Sequence, residues 1–152
     1  PGSAYTVRIV DGLRAVWALE GDGVHQVVDL GSMVHFGNLG KARMHFYVPE
    51  GTRSFKLTVH GVHTGGFGAA VFAGGKLPVA MVRGANTGEP ALPNFPDAEP
   101  VVKTLTVTVP GGSDGRMWSV VTWAAGNLRM QLEGVPPYLA PTRNDWFDPA
   151  AD

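Results

Sequence analysis

Apolar and polar residues alternate with a period of two along much of the chain. Over 103–109, Leu105, Val107 and Val109 alternate with Thr104, Thr106 and Thr108, so one face of the segment is apolar and the other hydroxylated. Residues 54–60 repeat the pattern with Phe55, Leu57 and Val59 against Ser54, Lys56, Thr58 and His60. Residues 127–133 do so with Leu128, Met130 and Leu132 against Arg129 and Gln131. This spacing predicts half-buried strands. Weaker alternation predicts further strands at 5–10, 13–20, 24–30, 41–48, 68–72, 78–83 and 117–124, most of them bounded by Gly, Pro, Asp or Asn. No dozen-residue window carries apolar positions at i, i+3, i+4 and i+7 without a glycine or proline, and strand–helix–strand alternation is missing. The expectation is an all-β fold, an antiparallel β-sandwich of jelly-roll type.

The turns have a chemical basis. Pro49-Glu50-Gly51-Thr52 and Pro110-Gly111-Gly112-Ser113-Asp114-Gly115 each end a strand with a residue lacking an N–H and then supply glycines that tolerate positive φ. Gly21-Asp22-Gly23 and Gly74-Gly75 read as tight hairpins. The glycine-rich runs 63–68 and 111–115 also read as turns, because neither has the strand-to-helix setting of a phosphate cradle. Residues 84–100 contain four prolines and no periodicity, which predicts a long surface loop. The tail, 136–152, is similar, yet Tyr138, Leu139, Trp146 and Phe147 give it apolar groups with which to pack back on the body.

Composition sharpens this picture. In 152 residues, 44% hydrophobic, there is material for one core and one domain. The 12 Lys and Arg are scattered and the formal net charge is −1, so nucleic acid is not an expected partner. No apolar run approaches the ~18 residues of a membrane helix, no basic segment leads into an apolar one, and no membrane is expected either. Without cysteine there is no disulfide and no thiolate site. Pro1-Gly2-Ser3 reads as a tag remnant, which divides the chain into 1–3, a sandwich over 4–140, and a tail over 141–152 packing on it.

Three segments resemble a known group. His45-Phe46-Tyr47-Val48-Pro49-Glu50-Gly51-Thr52, Arg116-Met117-Trp118-Ser119 and Leu132-Glu133-Gly134-Val135-Pro136-Pro137-Tyr138-Leu139-Ala140 are similar, in order and spacing, to β-sandwich accessory domains near the C-terminal ends of large bacterial glycoside hydrolases and related secreted polysaccharide-processing proteins. The likeness covers roughly residues 42–140. It departs after the Tyr-Val-Pro strand, where that group has a tight Asp/Gly hairpin and this chain has Phe72-Ala73-Gly74-Gly75-Lys76-Leu77. The resemblance implies a sandwich fold, a carbohydrate-related role, an adjacent catalytic domain and an extracellular setting, secreted or on the cell surface. It supplies no catalytic residue.

Candidate chemistry follows the strand faces. Sugar binding needs flat aromatic faces that stack on pyranose rings, with polar groups fixed nearby. On 41–48, Ala42, Met44, Phe46 and Val48 form an apolar face, leaving Arg43, His45 and Tyr47 as an outward platform. In the competing reading, Tyr47 covers the sheet edge and Arg43 pairs with a carboxylate. Trp118 and Trp123 have opposite parity, and Val120 and Val121 do not decide between them; the resemblance turns Trp118 inward and Trp123 outward, where Arg129 or Gln131 would complement it. Trp17 shares parity with Ala15 and Leu19 and reads as core, and Trp146 as an anchor on the body or a contact to a neighbouring domain.

Other chemistry has weaker support. His60 and His63 stand three apart, and His35 with His45 is a second pairing, but neither supplies the three or four ligands zinc requires. No nucleophile elbow is present, and the carboxylates Glu20, Glu50, Glu89, Glu99 and Glu133 occupy mostly turn-like positions. No cofactor is expected; Asp11, Asp22, Asp29 and Asp114 are the candidate ligands of a structural calcium. The expected function is a non-catalytic carbohydrate-binding module that binds a polysaccharide or oligosaccharide through Arg43, His45, Tyr47, Trp123 and Arg129. The alternatives are a structural domain packing on a catalytic neighbour and a polysaccharide-active enzyme.

Overall fold

A computed structural model of the chain describes residues 5, 23, 25–31, 34–35, 41–62, 65–85, 101–124 and 127–151. Its strands are β1 (Val28–Asp29), β2 (Val34–His35), β3 (Lys41–Val48), β4 (Ser54–Val62), β5 (Gly66–Phe72), β6 (Ala80–Ala85), β7 (Val101–Thr108), β8 (Arg116–Ala124), β9 (Asn127–Glu133) and β10 (Tyr138–Leu139). All pairings between them are antiparallel. A back sheet runs in the order β2-β9-β4-β7, a front sheet in the order β3-β8-β5-β6, and β1 with β10 forms a two-stranded ribbon. The described residues thus form an all-β sandwich. The expected strands at 5–10 and 13–20, and Trp17, lie outside the described residues except for Tyr5.

The two four-stranded sheets face each other because each strand turns its apolar parity inward. From the front sheet come Phe46, Val48, Phe67, Ala69, Val71, Trp118 and Val120; from the back sheet come Phe55, Leu57, Val59, Val107, Leu128, Met130 and Leu132. An aromatic trio joins the layers. The Phe55 ring meets Phe46 and Trp118 edge-on, both at 5.5 Å between centroids. The buried Trp118 indole donates from Nε1 to the Ser113 carbonyl at 2.6 Å, so its polar atom is satisfied where the ring is desolvated.

One flank of the sandwich is closed by glycine. Phe67 on β5 projects toward β4, and a Cβ at Gly61 would lie 2.2 Å from its Cδ1, while one at Gly84 would lie 2.4 Å from its Cζ. This accounts for two differences from the sequence reading. Residues 66–68 are strand, because Phe67 needs the inward parity of β5, and Gly84 belongs to β6, where its missing side chain admits the ring. Residues 86–100 of the predicted loop lie outside the described residues.

Local turn chemistry sets the remaining ends. Gly51 and Gly112 take φ of 81° and 71°, and Thr52 and Ser113 donate back to the Pro49 and Pro110 carbonyls. The two turns are tied together by the Gly51 N–H donating to Asp114 Oδ2 at 2.7 Å. The predicted strand at 24–30 shortens to β1: Asp29 Oδ1 accepts from the Gly31 N–H in an Asx turn that ends it, and its partner β10 is hemmed in by Pro137 and Pro141. Gly74-Gly75 lies within the longer connection 73–79 and is not a two-residue hairpin.

Candidate functional site

The outer face of the front sheet gathers the candidate residues by register. Trp123 on β8 stands opposite Lys41 on β3 and Gly68 on β5, and Gly68 stands opposite Arg83 on β6. Two residues further along each strand, Arg43, Val121, Ala70 and Met81 form the next outward row, and His45, Ser119 and Phe72 the one after. Because Phe67, Ala69 and Val71 fill the inner face of β5, its outer positions are Gly68, Ala70 and Phe72, two of them too small to rise from the sheet. The result is a low floor with larger side chains on either side.

Trp123 lies over that floor. A Cβ on Gly68 would come within 2.3 Å of its Cζ2, so the indole occupies the space the glycine leaves, and Trp123 is half-buried. Arg43 is exposed; its Nη1 donates to Ser119 Oγ at 2.7 Å and its guanidinium sits 4.7 Å above the centre of the Phe72 ring. Those contacts hold Arg43 against the sheet, in place of the carboxylate that the competing sequence reading supplied. Arg83 and Met81 are exposed on the same face.

The other expected members are placed differently. Tyr47 shares the outward parity, but its ring packs against Trp146 at 5.3 Å, and Trp146 Nε1 donates to the Tyr138 carbonyl at 2.9 Å. Trp146 is therefore anchored on the body, and Tyr47 is half-covered where an open platform was expected. His45 is also half-buried: its backbone exchanges hydrogen bonds of 2.8 Å with Ala140, and its Nδ1 is buried without a partner. Burial, then Arg143 and Arg43, hold its pKa below the ordinary 6.5, against the opposing pull of the Trp118 backbone. A half-buried imidazole takes the place of the exposed donor expected at this position.

Arg129 belongs to the opposite side of the molecule. Leu128, Met130 and Leu132 of β9 are buried in the core, so Arg129 and Gln131 emerge from the back sheet, not beside Trp123. That back face carries Thr58, Thr104, Thr106 and Thr108 alongside His60, whose pKa is lowered by burial and by Arg129. Sequence reasoning missed Phe72, Met81 and Arg83 on the front face; the small-residue parity of Gly68 and Ala70 was the available signal, and it needed the β5–β6 register to become a surface.

Other features bear less on ligand chemistry. A groove of about 430 Å³ lies at the end of the sandwich between Gly51, Arg53, Pro110 and Asp114, but the Gly51 N–H and the Asp114 carboxylate already satisfy each other there. Among the described residues no three of His, Asp and Glu converge as metal ligands. Of the calcium candidates, Asp29 and Asp114 cap the backbone N–H groups of Gly31 and Gly51, whereas Asp11 and Asp22 lie outside the described residues, as does His63. β2, which carries His35, and β3, which carries His45, belong to different sheets. No family model, curated protein or solved structure matches the chain.

Proposed function

We propose that the chain is a non-catalytic carbohydrate-binding module that holds a polysaccharide against the outer face of its front sheet, on behalf of an attached glycoside hydrolase. The observation that carries this reading is the Trp123 indole packed over Gly68 on a floor of small residues, with Arg43 fixed further along the same face. An aromatic surface on a flat strand face suits the apolar side of a pyranose, and a pre-positioned guanidinium suits its hydroxyls without an ordering cost at binding. The resemblance of residues 42–140 to accessory domains of polysaccharide-processing proteins supports the same reading.

Affinity electrophoresis of the chain through gels containing xylan, glucans, mannans, pectins and algal glycans tests it. Retardation by one class, abolished in Trp123→Ala while the melting transition is retained, is the expected result. Migration unaffected by every polysaccharide would overturn it.

A second reading has its own observation. Leu77 is 82% exposed, Val79 40% and Met81 46%, an apolar cluster on the β5–β6 side of the sandwich. A structural domain docked on a catalytic neighbour through this cluster would show slower hydrogen exchange at 76–82 in the longer polypeptide than in the isolated domain.

A further inference from the structure

Among the described residues, the front face carries cations without carboxylates. With 12 basic and 13 acidic residues the chain is close to neutral, yet the described outward positions of β3, β8, β5 and β6 include Arg43 and Arg83 and no Asp or Glu. Among the described residues neither arginine meets a carboxylate: the ion pair there is His25 with Asp145, 3.7 Å apart. Arg43 is instead held by the Ser119 hydroxyl and the Phe72 ring, neutral contacts that fix the guanidinium without cancelling its charge. Arg83 is exposed at the far edge, two strands from Trp123, about 10 Å at ordinary strand spacing. On the other side, Arg43 is on the strand paired with that of Trp123, two residue pairs further along, and its guanidinium reaches on to Ser119 and Phe72 of the same face. The face therefore carries an aromatic surface with a cation in its own row, at Arg83, and a second, at Arg43, whose guanidinium reaches two rows along.

We infer that the ligand of this face is an acidic polysaccharide, one bearing carboxylate or sulfate groups, bound by stacking on Trp123 with Arg43 and Arg83 as its anion contacts. Guanidinium groups bind both oxyanions through paired N–H donors, and an anion adds a charge–charge attraction that a neutral hydroxyl lacks. A neutral glycan would leave both arginines with no charged partner, whereas an acidic one complements each. The inference rests on the carbohydrate-binding reading of the face and specifies its substrate class.

The test compares glycans that differ only in charge: polygalacturonate against its methyl ester, and a sulfated galactan against the desulfated polymer, in affinity gels at low and moderate salt. Stronger retardation by one or both charged forms is expected, the pair that responds telling carboxylate from sulfate. Arg83→Gln, a change at an exposed side chain, should reduce the preference for the charged form about tenfold, and Arg43→Gln by at least as much. Equal retardation by charged and uncharged forms, or a preference that both variants retain, would overturn the inference while leaving the carbohydrate reading intact. Retardation by double-stranded DNA equal to that by the acidic glycans and indifferent to Trp123→Ala would also overturn it, since that is plain polyanion attraction. Failure to bind any glycan would overturn both.

Discussion

Trp123 and Gly68 are cross-strand partners whose relationship is one of exclusion: a methyl group on Gly68 would sit 2.3 Å from Trp123 Cζ2 and 2.4 Å from the Val82 carbonyl oxygen. Aromatic cover over a strand glycine is a packing device, and here the indole takes up the space that the missing side chain leaves. Gly68→Ala should tilt the ring off the sheet and lower stability by about 1–3 kcal/mol, as overpacking does. A red-shifted tryptophan emission together with weaker glycan retardation is the expected outcome; unchanged emission would show that the ring is held by other contacts.

Phe67 couples the two sheets through Gly61 of β4 while also covering Gly84 of its own sheet, and its energetics should be non-additive. Gly61→Ala forces a clash with the ring, and Phe67→Ala leaves a cavity costing about 3–5 kcal/mol. In the double variant the added methyl occupies space the ring vacated, so the loss should be smaller than the sum of the two single losses. Urea midpoints of the four proteins provide the cycle, and strict additivity would refute the contact.

Trp146 is the clamp on the C-terminal segment. Trp146→Ala removes the ring pair with Tyr47 and the indole donor to Tyr138, worth together about 1–3 kcal/mol. Faster proteolysis within 141–151 and a lower melting temperature are expected. Trp146→Phe should recover the ring packing without the hydrogen bond and fall between the two.

Acidification should destabilise the fold through His45 and His60, both of which have pKa values below 6.5 in the folded state. As pH falls through 6.5 the unfolded chain takes up protons that the folded chain resists, so stability is highest above that value and declines below it. Urea midpoints at pH 7.5 and pH 5 measure the decline. His45→Gln should flatten its share, because the buried Nδ1 and the neighbouring Arg43 and Arg143 no longer oppose a charge; a slope unaltered by both His45→Gln and His60→Gln would refute this origin.

Much of the fold was legible in the sequence because a strand's side chains alternate irrespective of what the strand pairs with. The predicted and observed bounds of β3 and β9 coincide, and the inward parity of Phe46, Val48, Leu128, Met130 and Leu132 follows from alternation alone. The paired Pro-x-Gly turns were equally legible, since proline and a positive-φ glycine act within four residues. Strand ends were less so where the deciding partner is distant: Gly66 and Gly84 look like loop until Phe67 is placed between β4 and β6.

The candidate site divides along the same line. By itself the sequence determined that Arg43, His45 and Tyr47 share one face of a strand and that Arg129 opposes Leu128 and Met130. Only the tertiary structure decided which strands share a sheet, and so sent Arg129 to the back face while bringing Arg83 and Phe72 into the neighbourhood of Trp123 and Arg43. It also decided that Tyr47 would be covered, because Trp146 lies ninety-nine positions further along and nothing in local alternation records a contact between them. The physical reason is one of range: backbone geometry sets parity from one residue to the next, whereas sheet order and tail docking depend on the total apolar surface buried when distant segments meet.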